Sequence, residues 1–190
     1  MKNVVLYIFL ILVIQIGCKS DQSESGQSQS ETGQKNKITY TIPDGWVSET
    51  PKSRMRRAQF RLPGPKTEEY AELAVFVFPG SGGSVNDNLN RWYRQFKQPD
   101  GADSEERAEI KKFRVNNLDV TVVYVTGTYL QSPSTMMMGG PVKEIPSTAM
   151  LAAIVETRTD PWFFKAVGPQ DTIDHWRPVF NEFVQSFKWE

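Results

Sequence analysis

Large apolar residues crowd positions 4–16, are absent from 19–37, and return afterwards in short periodic runs. Residues 38–42 alternate and stop at Pro43-Asp44-Gly45, where proline fixes φ and glycine supplies a positive φ, so a strand and turn are predicted. A second short strand is expected over 57–62. Residues 72–78 (ELAVFVF) are apolar on both faces for most of their length, as in a strand covered on both sides. The glycine-rich loop 79–83 leads to Ser84, a predicted N-cap, with Asp87 standing where a capping box usually has Glu. Val85, Leu89, Trp92 and Phe96 then recur at helical spacing, and Pro99-Asp100-Gly101 ends that unit. Residues 109–115 and 118–129 flank Asn116-Asn117; asparagine tolerates positive φ, so a tight hairpin is predicted. Residues 149–157 and 162–167 flank a second turn, with Asp160-Pro161. A last helix over about 172–187 carries Trp176, Val179, Phe180, Phe183, Val184 and Phe187 as a broad apolar stripe.

This order predicts an α+β domain: a mainly antiparallel sheet with two amphipathic helices. Strands apolar on both faces need cover on both sides, so helices on both faces are expected, an α/β/α sandwich. The segments ITYTIPDGW (38–46), WFFKAVG (162–168) and FNEFVQSF (180–187), in this order of elements, resemble the Mog/PsbP-like fold. The resemblance implies that sandwich. It also implies a binding or assembly role, since the group includes photosystem assembly and extrinsic subunits and a Ran-binding protein. It is architectural, and no functional residue is carried over from it.

The N-terminus sets an address. Lys2 precedes an apolar run over 4–16, too short for a spanning helix of about 20 residues. Ile16 and Gly17 stand before Cys18, the only cysteine. The arrangement resembles the lipobox of bacterial lipoproteins, although Gln15 replaces the usual aliphatic residue. The resemblance implies cleavage after 17 and acylation of Cys18 with three chains, enough for stable anchoring where one chain would not suffice. An ordinary secretory signal or an uncleaved anchor is the alternative. Residues 18–37 are then a lipid-anchored disordered linker of Ser, Gln, Gly and Glu, spanning roughly 25 Å as a flexible coil. Residues 38–190 form a single domain. The expected location is the bacterial cell envelope, with the domain facing the periplasm or exterior.

Charge and candidate chemistry narrow the function. Lys plus Arg and Asp plus Glu both number 22, so nothing global points to nucleic acid. With one cysteine the chain makes no internal disulfide, and one histidine cannot organise a zinc site; His175 is expected as a solvated or hydrogen-bonded helix residue, with a base or ligand role the alternative. No metal and no cofactor is expected. Gly82, Gly83 and Ser84, ahead of a helix N-terminus, are a candidate anion site or simply a capped connection. Lys52, Arg54, Arg56 and Arg57 form a basic cluster, expected as a solvated face that Glu68 and Glu69 help neutralise, with a patch for anionic lipid or an acidic partner the alternative. The stretch 131–147 (QSPSTMMMGGPVKEIPS) is long for a loop within a domain. Met136, Met137, Met138, Gly139 and Gly140 mark it as a candidate recognition loop, with packing onto the sheet edge the alternative. The resulting expectation is a non-enzymatic envelope lipoprotein, held to the membrane by its N-terminal lipid, that binds or helps assemble an envelope protein or ligand. The alternative is an envelope hydrolase using paired carboxylates on cell-wall or glycan material.

Overall fold

A computed structural model of the chain describes residues 36–132 and 141–190. The expectations for the signal segment, Cys18, most of the tether, and Met136, Met137, Met138, Gly139 and Gly140 lie outside the described residues.

The strands are β1 (Ile38–Thr39), β2 (Val47–Glu49), β3 (Arg56–Pro63), β4 (Tyr70–Val77), β5 (Phe96–Lys97), β6 (Glu109–Val115), β7 (Leu118–Gln131), β8 (Lys143–Glu156), β9 (Trp162–Pro169) and β10 (Lys188–Trp189). The helices are α1 (Val85–Tyr93), α2 (Ser104–Arg107) and α3 (Gln170–Gln185). The main sheet runs β2-β3-β4-β9-β8-β7 and is antiparallel throughout; β5 and β6 both pair with the outer edge of β7. The fold is thus mostly antiparallel sheet with three helices.

Side chains alternate across a strand, and here both sets are buried. Along β8, Leu151, Ala153 and Val155 join a cluster with Phe180, Phe183 and Val184 of α3. Met150, Ala152 and Ile154 join a second cluster with Leu89, Trp92 and Tyr93 of α1. That double burial is why these strands read as continuous apolar runs. Polar contacts also fasten α3: the Tyr124 hydroxyl of β7 donates to Asp174, and the Arg177 guanidinium lies 4.1 Å from the Tyr124 ring centroid while pairing with Glu109 of β6.

Several expectations need correction. The strand over 38–42 shrinks to two residues. Tyr40 turns inward, its ring 5.6 Å from Phe164 and 5.2 Å from Phe183, and the Thr41 N–H goes to Ser186 Oγ. Instead of joining the main sheet, β1 pairs with β10, and the N–H groups of Asn36 and Lys37 donate to the Glu190 carbonyl. Phe96 is buried but not helical: α1 ends at Tyr93, and Phe96 packs against Tyr129 across the β5–β7 pair, the two rings tilted with centroids 5.3 Å apart. The stretch 131–147 is not structureless throughout, since β8 already runs from Lys143. Its first half hid behind Lys, Glu and Pro146, which lack a strand signature. Strand β2 and the one-turn α2 were not anticipated. The Asn116-Asn117 turn has φ +47° and +66°, as a tight hairpin requires.

One glycine shapes the region beside the site. Gly127, at φ +146°, sits at a register shift in β7, and a Cβ there would lie 2.8 Å from the Lys97 carbonyl oxygen. The close approach lets buried Gln98 donate to the Thr126 carbonyl and to Ser104 Oγ, which pins the β5–α2 connection to the sheet.

Candidate functional site

Helix α1 covers only part of its sheet face. The remainder is a cleft of about 930 Å³ over β4, β9 and the adjoining end of β8. Lys165, in the middle of β9, lies at its floor. Its cross-strand neighbours are Ala74 on β4 and Ala152 on β8, and two such small side chains leave a hollow around the lysine stem.

Three groups surround the amine. Nζ donates to Gln95 Oε1, and lies 5.5 Å from the Trp92 ring centroid and 6.0 Å from that of Tyr129. Gln95 is itself held, because its carbonyl accepts the Leu130 N–H at 2.7 Å and its own N–H reaches the Trp92 carbonyl. The aromatic faces stabilise an ammonium, but no acid among the described residues lies within ion-pair distance of Nζ. Burial, reinforced by the positive charge of Arg91 on α1, brings the amine down to about 7. Near neutral pH the site therefore holds both free amine and ammonium.

The other charges of the cleft are matched. Lys52 and Arg56 both pair with Glu72 on β4, Arg56 at 2.6 Å. Gln59 Nε2, almost wholly buried, donates to Glu49 at 2.9 Å and to Glu72 at 3.4 Å. Burial alone would raise the Glu72 carboxyl, but the hydrogen bonds and charges of Lys52 and Arg56 outweigh it and hold it below its ordinary value. Glu72 is thus an ionised anchor, not a proton donor. At the rim, Lys66 reaches Asp171 at 3.1 Å and Glu69 at 3.8 Å. Tyr129 is pushed upward by burial and then by the charge of Glu72, so its hydroxyl stays neutral.

The structure sorts the sequence candidates. Lys52 and Arg56 of the basic cluster belong to the cleft, and Glu72, rather than Glu68 or Glu69, neutralises them; Arg54 and Arg57 are exposed. Gln131 and residues 145–148, the flanks of the Met-containing stretch, line the same cleft. Gly82, Gly83 and Ser84 lie elsewhere, at the start of α1. Ser84 Oγ accepts the Asp87 N–H, and the Asp87 carboxylate accepts both the Ser84 N–H and hydroxyl, a complete capping box. The Gly82 carbonyl accepts from Asn88. Asp87 places a negative charge at the helix terminus, held low by those Ser84 bonds, so an incoming anion has a carboxylate to displace. His175 is exposed on α3, against Trp176. Among the described residues, no group of three or more His, Cys, Asp or Glu is placed to hold a metal. No helix among them is long and apolar enough to cross a membrane.

Lys165 was missed from sequence. Its signal was there: one charge inside WFFKAVG, a run otherwise fit for a strand buried on both faces.

No protein-family model matches the chain, and no curated protein matches it. Solved structures similar to it include a Pseudomonas aeruginosa protein of unknown function, PA94, at 10% identity and TM-score 0.47, over 82% of this chain and 98% of that one. They also include the cyanobacterial PsbP protein CyanoP from Synechocystis sp. PCC 6803, at 15% identity and TM-score 0.47, over 80% of this chain and 86% of that one.

Proposed function

We propose that this chain is a bacterial envelope lipoprotein, anchored through lipid on Cys18, whose PsbP-like α/β/α sandwich acts without catalysis as a binding or assembly factor. The cleft over Lys165 is where its ligand or partner is held. One observation carries the reading: a sheet face partly covered by α1 and partly left as a cleft, with an amine at its floor that no acid among the described residues matches. The anchor rests on the short apolar run, Gly17 and the lone Cys18. Binding is preferred to a carboxylate hydrolase because Glu49 and Glu72 share Gln59 and Glu72 is held ionised by two cations, whereas acid–base work on a glycoside needs one acid raised.

Photo-crosslinking in living cells tests this. A benzophenone amino acid placed at Tyr129, on the cleft wall, in the full-length protein is expected to yield a discrete adduct. The same group at His175, on α3, is expected to give none. Equal adducts at both positions, or none at position 129, would remove the cleft from the function.

A further inference from the structure

Charge matching around the cleft leaves one group over. Glu72 answers Lys52 and Arg56 from the β2–β3 side, and Asp171 and Glu69 answer Lys66 at the rim. Among the described residues lining the cleft, Lys165 is the remaining cation. Around it, α1 supplies Trp92 and the like charge of Arg91, the segment after α1 supplies the neutral Gln95 that accepts from Nζ, and β7 supplies the neutral Tyr129. Strand β8 supplies Ala152, and β4 supplies Ala74 with Glu72 two residues along, already ion-paired. The wall of the cleft is mixed: Ala74, Phe76, Val167 and Pro146 give it apolar surface, while Glu72 stands opposite Val167 and Arg56 lies over the Phe76 ring.

We propose that the cleft is a binding site for an amphipathic carboxylate, whose single negative charge pairs with the Lys165 ammonium while its apolar body runs from there past Val167 toward Pro146. The proposal rests on the cleft being the binding surface and names what it takes. A single charge is favoured over a phosphate dianion, because a second negative charge would face ionised Glu72 unmatched. A carboxylate also supplies what the fold withholds, since a desolvated ammonium needs an acceptor with charge. Pairing stabilises the protonated amine, so binding takes up a proton wherever free Lys165 is neutral. Affinity should hold below pH 7 and fall as the pH rises above it, by up to tenfold per unit.

The test uses 4-phenylbutyrate and its neutral isostere 4-phenylbutyramide, with the full-length protein. In native membranes, acylation of Lys165 is followed by mass spectrometry, with Lys52 and Lys66 as internal references. The carboxylate is expected to protect Lys165 at concentrations at least tenfold lower than the amide, and protection should weaken from pH 7 to pH 9. Equilibrium dialysis of radiolabelled phenylbutyrate against the detergent-solubilised protein should give binding at least tenfold weaker for Lys165→Met and retained for Lys165→Arg. Equal protection by acid and amide, no protection by either, or undiminished binding by folded Lys165→Met would overturn the proposal. If the crosslink at position 129 persists in that case, the cleft still binds a partner, but not through a carboxylate.

Discussion

An ammonium partly withdrawn from water without a counter-charge destabilises the fold that holds it, and Lys165, half-buried at the floor of the cleft, is in that position. The sign of the effect with pH follows from its two protonation ranges. In the unfolded chain the amine titrates near 10.5; in the folded domain it is down to about 7. Below pH 7 both states are protonated, and the fold bears the full penalty of a buried charge. Between pH 7 and about 10.5 the folded form sheds its proton first, so the penalty fades and stability rises with pH. Lys165→Met removes the charge and keeps most of the stem. It is expected to be more stable than wild type at pH 6, with the gap closing toward pH 10. Urea unfolding of both proteins at several pH values measures this, and two stability profiles that stay parallel across that range would mean the amine is hydrated. The position stood out in sequence only as a blemish in an apolar run. What it does depends on Ala74, Ala152, Trp92 and Tyr129, which three further strands and a helix bring together from far along the chain.

Among the elements, α3 carries the larger share of the packing. Phe183 is 1% exposed, with its ring 4.9 Å from Trp46, 5.7 Å from Phe164 and 4.9 Å from Phe187. Phe183→Ala should therefore lose about 3–5 kcal/mol of stability. Denaturant unfolding checks it; a loss of about 0.5 kcal/mol, the scale of a surface change, would place the ring outside the core. The α3 stripe, the α1 cap and the 116–117 hairpin were all legible, because each signal is local: apolar spacing, a Ser-to-Asp reach, two asparagines in a turn. The misread elements depend on distant partners. β1 is set by β10 about 150 residues away in sequence (Ile38 opposite Trp189), and Phe96 leaves the helical series for a strand fixed by Tyr129. The first half of β8 pairs with the end of β7 despite Pro146, around a register shift that Gly127 permits. The cleft was illegible for the same reason. Its basic residues form a visible cluster in sequence, but their partner, Glu72, stands inside a strand whose pattern is that of buried apolar surface.

For the molecule as a whole, the residues ahead of Asn36 are proposed to tie the domain to a membrane through Cys18. Cys18→Ser is expected to move the protein from the membrane fraction to the soluble fraction and to abolish incorporation of a metabolic fatty-acid probe. Equal labelling of wild type and variant would sink the lipid anchor. A tether of the proposed kind would also transmit force, and the β1–β10 pair is where that force would arrive. Tension entering at Asn36 meets the bonds to Glu190 and then the two-residue ladder of Ile38 and Thr39 before it reaches any strand of the main sheet. An antiparallel pair loaded from one end opens bond by bond, and so short a ladder opens at low free energy. With the proposed anchor, a tug would first meet the short pairing of residues 36–39 with 188–190, and only after it the strands that frame the cleft.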